Sequence, residues 1–409
     1  MRSPQLGFTN VPYTMACNCG WYAHKMPSSS TSATGSSRSV EARELVQSLM
    51  RPHLRGRSAY GAPQERADVL LNTNESAYAL PDHVVTDITR AIEAAASSLN
   101  RYPDREFTEL RRRLSEYLQR TTDTVVDFSE IWAGNGSNEI LSHVVQAFGG
   151  DRGALGFTPT YAMYPNYCVT NGTPWTDGMK FSIDGDSPGE VRIPDAVEQV
   201  QRHDPAIVFI ASPNNPTGRA VELAFVEAVY ESAPHAVVVV DEAYHEFSRD
   251  GTLSAVTLVR GRPRLIVSRT MSKAFSLAGA RLGYLVAHSE AIEALRLVRL
   301  PYHLSTQTQV IAITALRHSD ALLAEVATLR SQRDRLVVEL GQMGLKPIPS
   351  DANFVLFGGL VDKQDTWQKL LARGVLVRDV GIDGHLRVTA GSPSETTTFL
   401  SAMRAIVDS

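Results

Sequence analysis

Leu265-Ile-Val-Ser-Arg-Thr-Met-Ser-Lys-Ala-Phe-Ser-Leu-Ala-Gly-Ala-Arg281 runs from a β-branched, apolar start into a lysine set among small and apolar residues. The first residues read as a buried strand, and Lys273 lies just past its end. A lysine in such surroundings can be desolvated, which favours the neutral amine, and a neutral amine can attack an aldehyde. Thr270, Ser272 and Arg281 add hydroxyls and a guanidinium, the groups that hold a phosphate. The pairing suits a lysine that carries a phosphorylated aldehyde, pyridoxal phosphate. Taken alone, the same residues also fit ordinary surface charges at a helix start.

Outward from this stretch, short apolar runs without alternation recur at 154–157, 206–211, 236–241 and 283–287. Helical spacing is seen at 84–96, 107–118, 137–148 and 289–300, the last ending at Pro301. Buried strands separated by helices indicate an α/β fold with a mostly parallel central sheet covered on both faces. Past residue 300, a helix over 319–343, strands at 353–357, 375–378 and 385–389, and a last helix to Val407 predict a smaller α+β domain. The expected organisation is an N-terminal extension (1–40), an arm (41–75), a large domain (76–300) and a small domain (301–409).

Residues 1–40 hold no Asp or Glu, and Ser28–Ser39 is a Ser/Thr/Gly/Ala run broken only by Arg38. Such a segment does not repay its ordering entropy, so disorder is expected. It reads either as a targeting segment or as sequence upstream of a start at Met26. The 40 basic and 44 acidic residues give a net charge of -4, with no basic stripe for nucleic acid. No apolar run spans a bilayer. Cys17, Cys19 and Cys168 form neither a disulfide framework nor a metal pair, so no metal is expected and a reducing compartment, the cytoplasm, is.

Three more clusters fall at strand ends or strand-to-helix turns, where open α/β sheets place their ligands. Gly134-Asn-Gly-Ser-Asn138 opens a helix and offers an anion cradle of backbone N–H groups, or merely a capped turn. Ser212-Pro-Asn-Asn-Pro-Thr-Gly218 fixes Asn215 between two prolines, a presented amide or a structural turn. Asp241-Glu-Ala-Tyr244 leaves the run Ala236-Val-Val-Val-Val240. A carboxylate at that point is costly unless it meets a cation such as a protonated pyridine nitrogen, the alternative being a helix cap.

The order Asn-Gly-Ser-Asn138, Pro-Thr-Tyr161, Asn-Asn-Pro-Thr-Gly218, Asp-Glu-Ala-Tyr244 and Ser-Lys-Ala-Phe-x-Leu-Ala-Gly-x-Arg281 resembles the fold-type-I pyridoxal-phosphate aminotransferases. Within them it is most similar to the histidinol-phosphate aminotransferase family, from about Leu54 to the C-terminus. Tyr60-Gly-Ala-Pro, Leu71-Asn-Thr-Asn-Glu75, Asn100-Arg-Tyr-Pro-Asp104, Arg299-Leu-Pro-Tyr-His303, Val377-Arg-Asp379 and Leu386-Arg-Val-Thr389 extend the likeness. The resemblance implies that Lys273 binds pyridoxal 5'-phosphate and moves the substrate proton. It further implies that Asp241 pairs with the pyridinium, that Asn215 and Tyr244 meet the ring oxygen, and that Tyr161 stacks on the ring. Ser137, Asn138, Thr270 and Arg281 are implied to hold the phosphate, with Tyr102 reaching it from the second subunit of a homodimer. Arg387, assisted by Arg378 and Tyr60, is implied to grip the substrate anion. The implied reaction joins L-histidinol phosphate and 2-oxoglutarate to imidazole-acetol phosphate and L-glutamate.

Ser76-Ala77 stand where that family commonly has Asn-Pro, and Asn138 where some members place Asp. The first departure keeps an aromatic or broad-range aminotransferase of the same fold open as an alternative. A decarboxylase of a phosphorylated amino acid and a cofactor-binding regulatory module are further rivals. The latter usually carries a DNA-binding helix-turn-helix, for which residues 1–58 lack length and periodicity.

Overall fold

The computed structural model describes residues 33–59, 61, 65–180, 183, 185 and 188–409. The chain divides into two compact units, residues 1–57 and 58–409. In the first unit, Ala33–Leu49 is an α-helix, followed by a 3₁₀ turn at Pro52–Leu54. The helix takes in residues 33–40, the end of the segment whose composition reads as disordered. The stretch Val40–Leu49 is rich in strong helix formers, and a helix nucleated there propagates back into the weaker Ser/Gly run. Residues 1–32 lie outside the described residues.

In the second unit the strands are, in chain order, β1 (Val69–Leu70), β2 (Ile131–Asn135), β3 (Ala154–Thr158), β4 (Trp175–Lys180), β5 (Ile207–Ala211), β6 (Val237–Asp241), β7 (Leu265–Thr270), β8 (Leu282–Ala287), β9 (Lys346–Pro347), β10 (Phe354–Gly358), β11 (Val375–Leu376) and β12 (Leu386–Thr389). Seven of them form one sheet in the order β2-β8-β7-β6-β5-β3-β4. The pairings from β7 to β4 are parallel, while β8 is antiparallel to both its neighbours. Only the Lys273 turn joins β7 to β8, too short for a parallel crossover, so the chain must reverse there. This gives the mostly parallel sheet that the apolar runs predict. A three-stranded sheet, β12-β10-β9, and the parallel pair β1-β11 complete the unit.

Register does the positioning. Asp241 lies opposite Ala211 on β5 and Ser268 on β7, so the turns after all three strands leave side by side. Gly134 pairs with Gly283, which brings the Gly134–Ser137 turn against the start of β8, two residues past Arg281. One apolar core surrounds the seven-stranded sheet and takes in Leu304, Ala315 and Leu329 from beyond residue 300. A second core gathers Val69, Leu336, Phe357, Val388 and Phe399 around the smaller sheet.

Strands β2 and β4 and the helices Met163–Asn171, Ile193–His203, Leu223–Ser232 and Thr306–Arg317 were not among the expected elements. Trp175-Thr-Asp-Gly-Met-Lys180 is an edge strand of mixed polarity, and Pro165 interrupts the pattern of the helix before it. The helix expected at 319–343 is two helices, Ser319–Leu323 and Val326–Gln342.

Candidate active site

The turns after β5, β6 and β7 open onto a cavity of about 360 Å³, lined among others by Tyr161, Asn215, Asp241, Lys273, Arg281 and Arg387. That size suits a small-molecule cofactor with a small substrate.

Lys273 is half-buried, and its Nζ donates a hydrogen bond to the Thr73 carbonyl oxygen at 2.9 Å. Burial, with the nearby Arg387 guanidinium, pushes the amine down to about 8 from 10.5. A carbonyl oxygen is a weak counterpart for a full cation, so the site favours the uncharged nucleophile.

Across the cavity Asp241 is buried, and its two oxygens accept from Tyr164 Oη at 2.9 Å and Ser268 Oγ at 3.0 Å. Burial nevertheless lifts its carboxyl above the usual range, against the pull of those two hydroxyls. Neutral donors do not offset the desolvation of a carboxylate, and a cation facing it does. The donor set around Asp241 therefore fits a protonated ring nitrogen.

A helix terminus, two hydroxyls and a guanidinium also line the cavity. Gly136, at φ +81°, introduces the helix Ser137–Phe148, and Gly136, Ser137 and Asn138 at its start all line the cavity. The Arg281 guanidinium lies over Gly136, where a Cβ would come within 2.7 Å of Nη2. On Gly283 a Cβ would run into the backbone of Gly136 and Ser137, so β8 can carry only glycine beside the cradle. The Thr270 and Ser272 hydroxyls, 3.0 Å apart, flank it. Helix terminus, hydroxyls and guanidinium converge as a dianion requires.

Arg378 and Arg387 are antiparallel neighbours that exchange backbone hydrogen bonds of 3.0 and 2.9 Å, and both line the cavity. Arg387 donates to Asn215 Oδ1 at 2.6 Å and to the Asn72 carbonyl at 2.9 Å. Arg378 Nη1 is buried with no hydrogen-bond partner among the described residues. The two arginines thus bring positive charge side by side into the cavity that Lys273 and Asp241 also line.

Residues 66–403 match the family model for aminotransferase class I and II. The chain belongs to the aminotransferase class I and II family. It is 55% identical over 365 residues to the histidinol-phosphate aminotransferase of Paenarthrobacter aurescens strain TC1, covering 88% of this chain and 95% of that one. With the enzyme of the same name from Thermobifida fusca strain YX it shares 51% over 358 residues, 87% of this chain and 94% of the other. The crystal structure of histidinol-phosphate aminotransferase from Sinorhizobium meliloti in complex with pyridoxal-5'-phosphate superposes with a TM-score of 0.74. It has 22% identity and covers 88% of this chain and 98% of that one, a likeness of fold.

Within this family fold, eleven residues singled out in the sequence line one cavity: Ser137, Asn138, Tyr161, Asn215, Asp241 and Tyr244, with Thr270, Lys273, Arg281, Arg378 and Arg387. Tyr102 does not line it. It is 79% exposed and stacks on Tyr302, with ring centroids 4.4 Å apart. Tyr60 lies outside the described residues. Sequence reasoning missed Tyr164 and Ser268, which hold Asp241, and Asn74 and Thr73, which face Tyr244 and Lys273. Ser268 is on β7 opposite Asp241, so strand register is the signal that points to it. Behind Asp241, on the other side of the sheet, Arg269 pairs with Glu242 at 2.9 Å and Glu246 at 3.5 Å, all buried. Against the upward push of burial, His245 and then Arg269 hold the Glu242 carboxyl below its usual range.

Proposed function

We propose that this chain uses pyridoxal 5'-phosphate to exchange an amino group between L-histidinol phosphate and 2-oxoglutarate, giving imidazole-acetol phosphate and L-glutamate. The observation that carries this is the arginine pair Arg378–Arg387 in the same cavity as Lys273 and Asp241. The name shared by relatives 55% and 51% identical supports the same substrate.

Ser137, Asn138, Thr270 and Arg281 would hold the cofactor phosphate, Asp241 the ring nitrogen, Asn215 and Tyr244 the ring oxygen, and Tyr161 the ring face. When bound, pyridoxal phosphate supplies an electron sink for the charge left as a proton leaves the substrate α-carbon. The rest is the work of this chain's side chains. At pH 7 an amine with a pKa of about 8 is about one-tenth neutral, against about three parts in ten thousand at 10.5. Lys273 is thus poised to attack a carbonyl and, once released, would take the substrate α-proton and return it at the cofactor carbon from which the lysine was displaced. Arg378 and Arg387 orient the substrate by its phosphate. They accept the distal carboxylate of glutamate in the other half-reaction, since a guanidinium fork matches both anions.

A homodimer fits the same reading. In it the exposed Tyr102, stacked on Tyr302, would serve a second copy's phosphate site. Among the described residues no helix is long and apolar enough to cross a membrane, and we assign the enzyme to the cytoplasm, where its substrates are small soluble anions. The test is to incubate purified protein with L-histidinol phosphate and 2-oxoglutarate and measure L-glutamate. Wild-type protein forms it and Lys273→Ala does not, while still binding cofactor. Normal turnover by Lys273→Ala overturns the assignment.

A further inference from the structure

Asn74 is 1% exposed and adopts a left-handed backbone, φ +56°, conformational strain that a buried residue keeps only when its surroundings hold it. Those surroundings are specific. Its backbone N–H donates to Thr389 Oγ1 at 3.1 Å, and that hydroxyl donates in turn to Asn74 Oδ1 at 3.0 Å. Asn353 Nδ2 donates to the Asn74 carbonyl at 3.2 Å. With Oδ1 committed as acceptor, the amide orientation is determined, and Nδ2 must face the remaining neighbour as a donor. That neighbour is the Tyr244 hydroxyl oxygen, 2.9 Å away.

A tyrosine whose oxygen accepts from an amide N–H has to send its own proton elsewhere, and accepting one hydrogen bond makes it a stronger donor in the next. We infer that Asn74 is a positioning residue that fixes Tyr244 as a hydrogen-bond donor toward the cofactor's ring oxygen, with Thr389 setting the sense of the Asn74 amide. The inference rests on the assignment of pyridoxal phosphate to this cavity. It gives Leu71-Asn-Thr-Asn-Glu75 a task on the same segment whose Thr73 carbonyl meets Lys273.

The experiment is a pH titration of the absorbance of cofactor bound at Lys273, read without substrate. Asn74→Gly deletes the amide and takes the left-handed conformation freely, and Asn74→Asp keeps the shape but offers Tyr244 an acceptor. A donor withdrawn from the ring oxygen raises the proton affinity of the lysine-bound cofactor. The titration midpoint should therefore rise by about half to one pH unit in Asn74→Gly, on the scale of one hydrogen bond. Asn74→Asp should raise it further, because Tyr244 then donates to the carboxylate and a charge is added. Arg387, Glu75 and Arg281, which face Lys273, and Asp241 across the cavity are unchanged in both variants.

In a Tyr244→Phe background the Asn74→Gly shift should vanish, since its effect runs through that hydroxyl. An unshifted midpoint in both variants, or a Gly shift of the same size in Tyr244→Phe, overturns the inference while leaving the cofactor assignment standing. A wild-type protein with no lysine-bound cofactor band overturns both.

Discussion

Replacing Asp241 with Asn separates two roles that a buried carboxylate can play. Its oxygens accept from Tyr164 and Ser268, hydroxyls that can each donate or accept, so an asparagine amide can satisfy both without moving either. Burial raises the Asp241 pKa, so the folded, cofactor-free protein retains that proton to a higher pH than the unfolded chain does. Stability of the cofactor-free protein is therefore lost as pH rises through the raised value, and Asp241 is a net cost above it. Asp241→Asn should leave the melting temperature of cofactor-free protein at neutral pH unchanged or higher.

Cofactor binding should move the other way. A hydrogen bond between a carboxylate and a cationic partner contributes about 1.5–3 kcal/mol, so losing it should weaken pyridoxal phosphate binding by roughly tenfold to 150-fold. The assay is a pair: thermal unfolding of cofactor-free protein and equilibrium titration with pyridoxal phosphate. If Asp241→Asn melted several degrees lower and bound the cofactor as tightly as wild type, Asp241 would be a cap and not the partner of a ring cation.

Three further outcomes can be checked directly. The rate at which cofactor-free protein captures pyridoxal phosphate should climb with pH through a midpoint near the depressed Lys273 value of about 8, and a midpoint near 10 would show an ordinary lysine. Gly283→Ala forces a methyl into the Gly136–Ser137 backbone, so it should cost at least about tenfold in cofactor affinity through the displaced helix terminus; unchanged affinity would remove that terminus from the phosphate site. Glu242→Gln leaves Arg269 buried with a weakened partner and should destabilise the fold by about 3–5 kcal/mol in denaturant unfolding; a loss below about 1 kcal/mol would mean the pair is not the anchor of the β6–β7 end.

The parts of the site that were legible in the sequence sit at the ends of apolar strands. Val237–Asp241 and Leu265–Thr270 announce themselves by composition, and the chemistry follows each within a few residues, so Asp241, Tyr244, Thr270 and Lys273 could be placed without coordinates. Asn74, Tyr164 and Ser268 could not. Their contacts join residues 170, 77 and 27 positions apart, and nothing local in a polar side chain says which partner the fold will bring to it. Strand β4 escaped because an edge strand need not be apolar on both faces. The helix at Ala33–Leu49 escaped because composition near residue 35 argues for disorder while the residues after Val40 argue for a helix, and the stronger neighbour prevailed. Tyr102 illustrates another limit: its exposure is a property of one chain, and its proposed task belongs to two.

The account turns on which anion the Arg378–Arg387 pair receives. The most direct measurement mixes cofactor-loaded protein with L-histidinol phosphate alone, and in parallel with L-phenylalanine, and follows the absorbance of the lysine-bound cofactor through a single half-reaction. Complete loss of that band with histidinol phosphate, at concentrations where phenylalanine leaves it in place, is the predicted result. Equal or faster loss with phenylalanine would contradict it, because phenylalanine has no phosphate for the two arginines to hold.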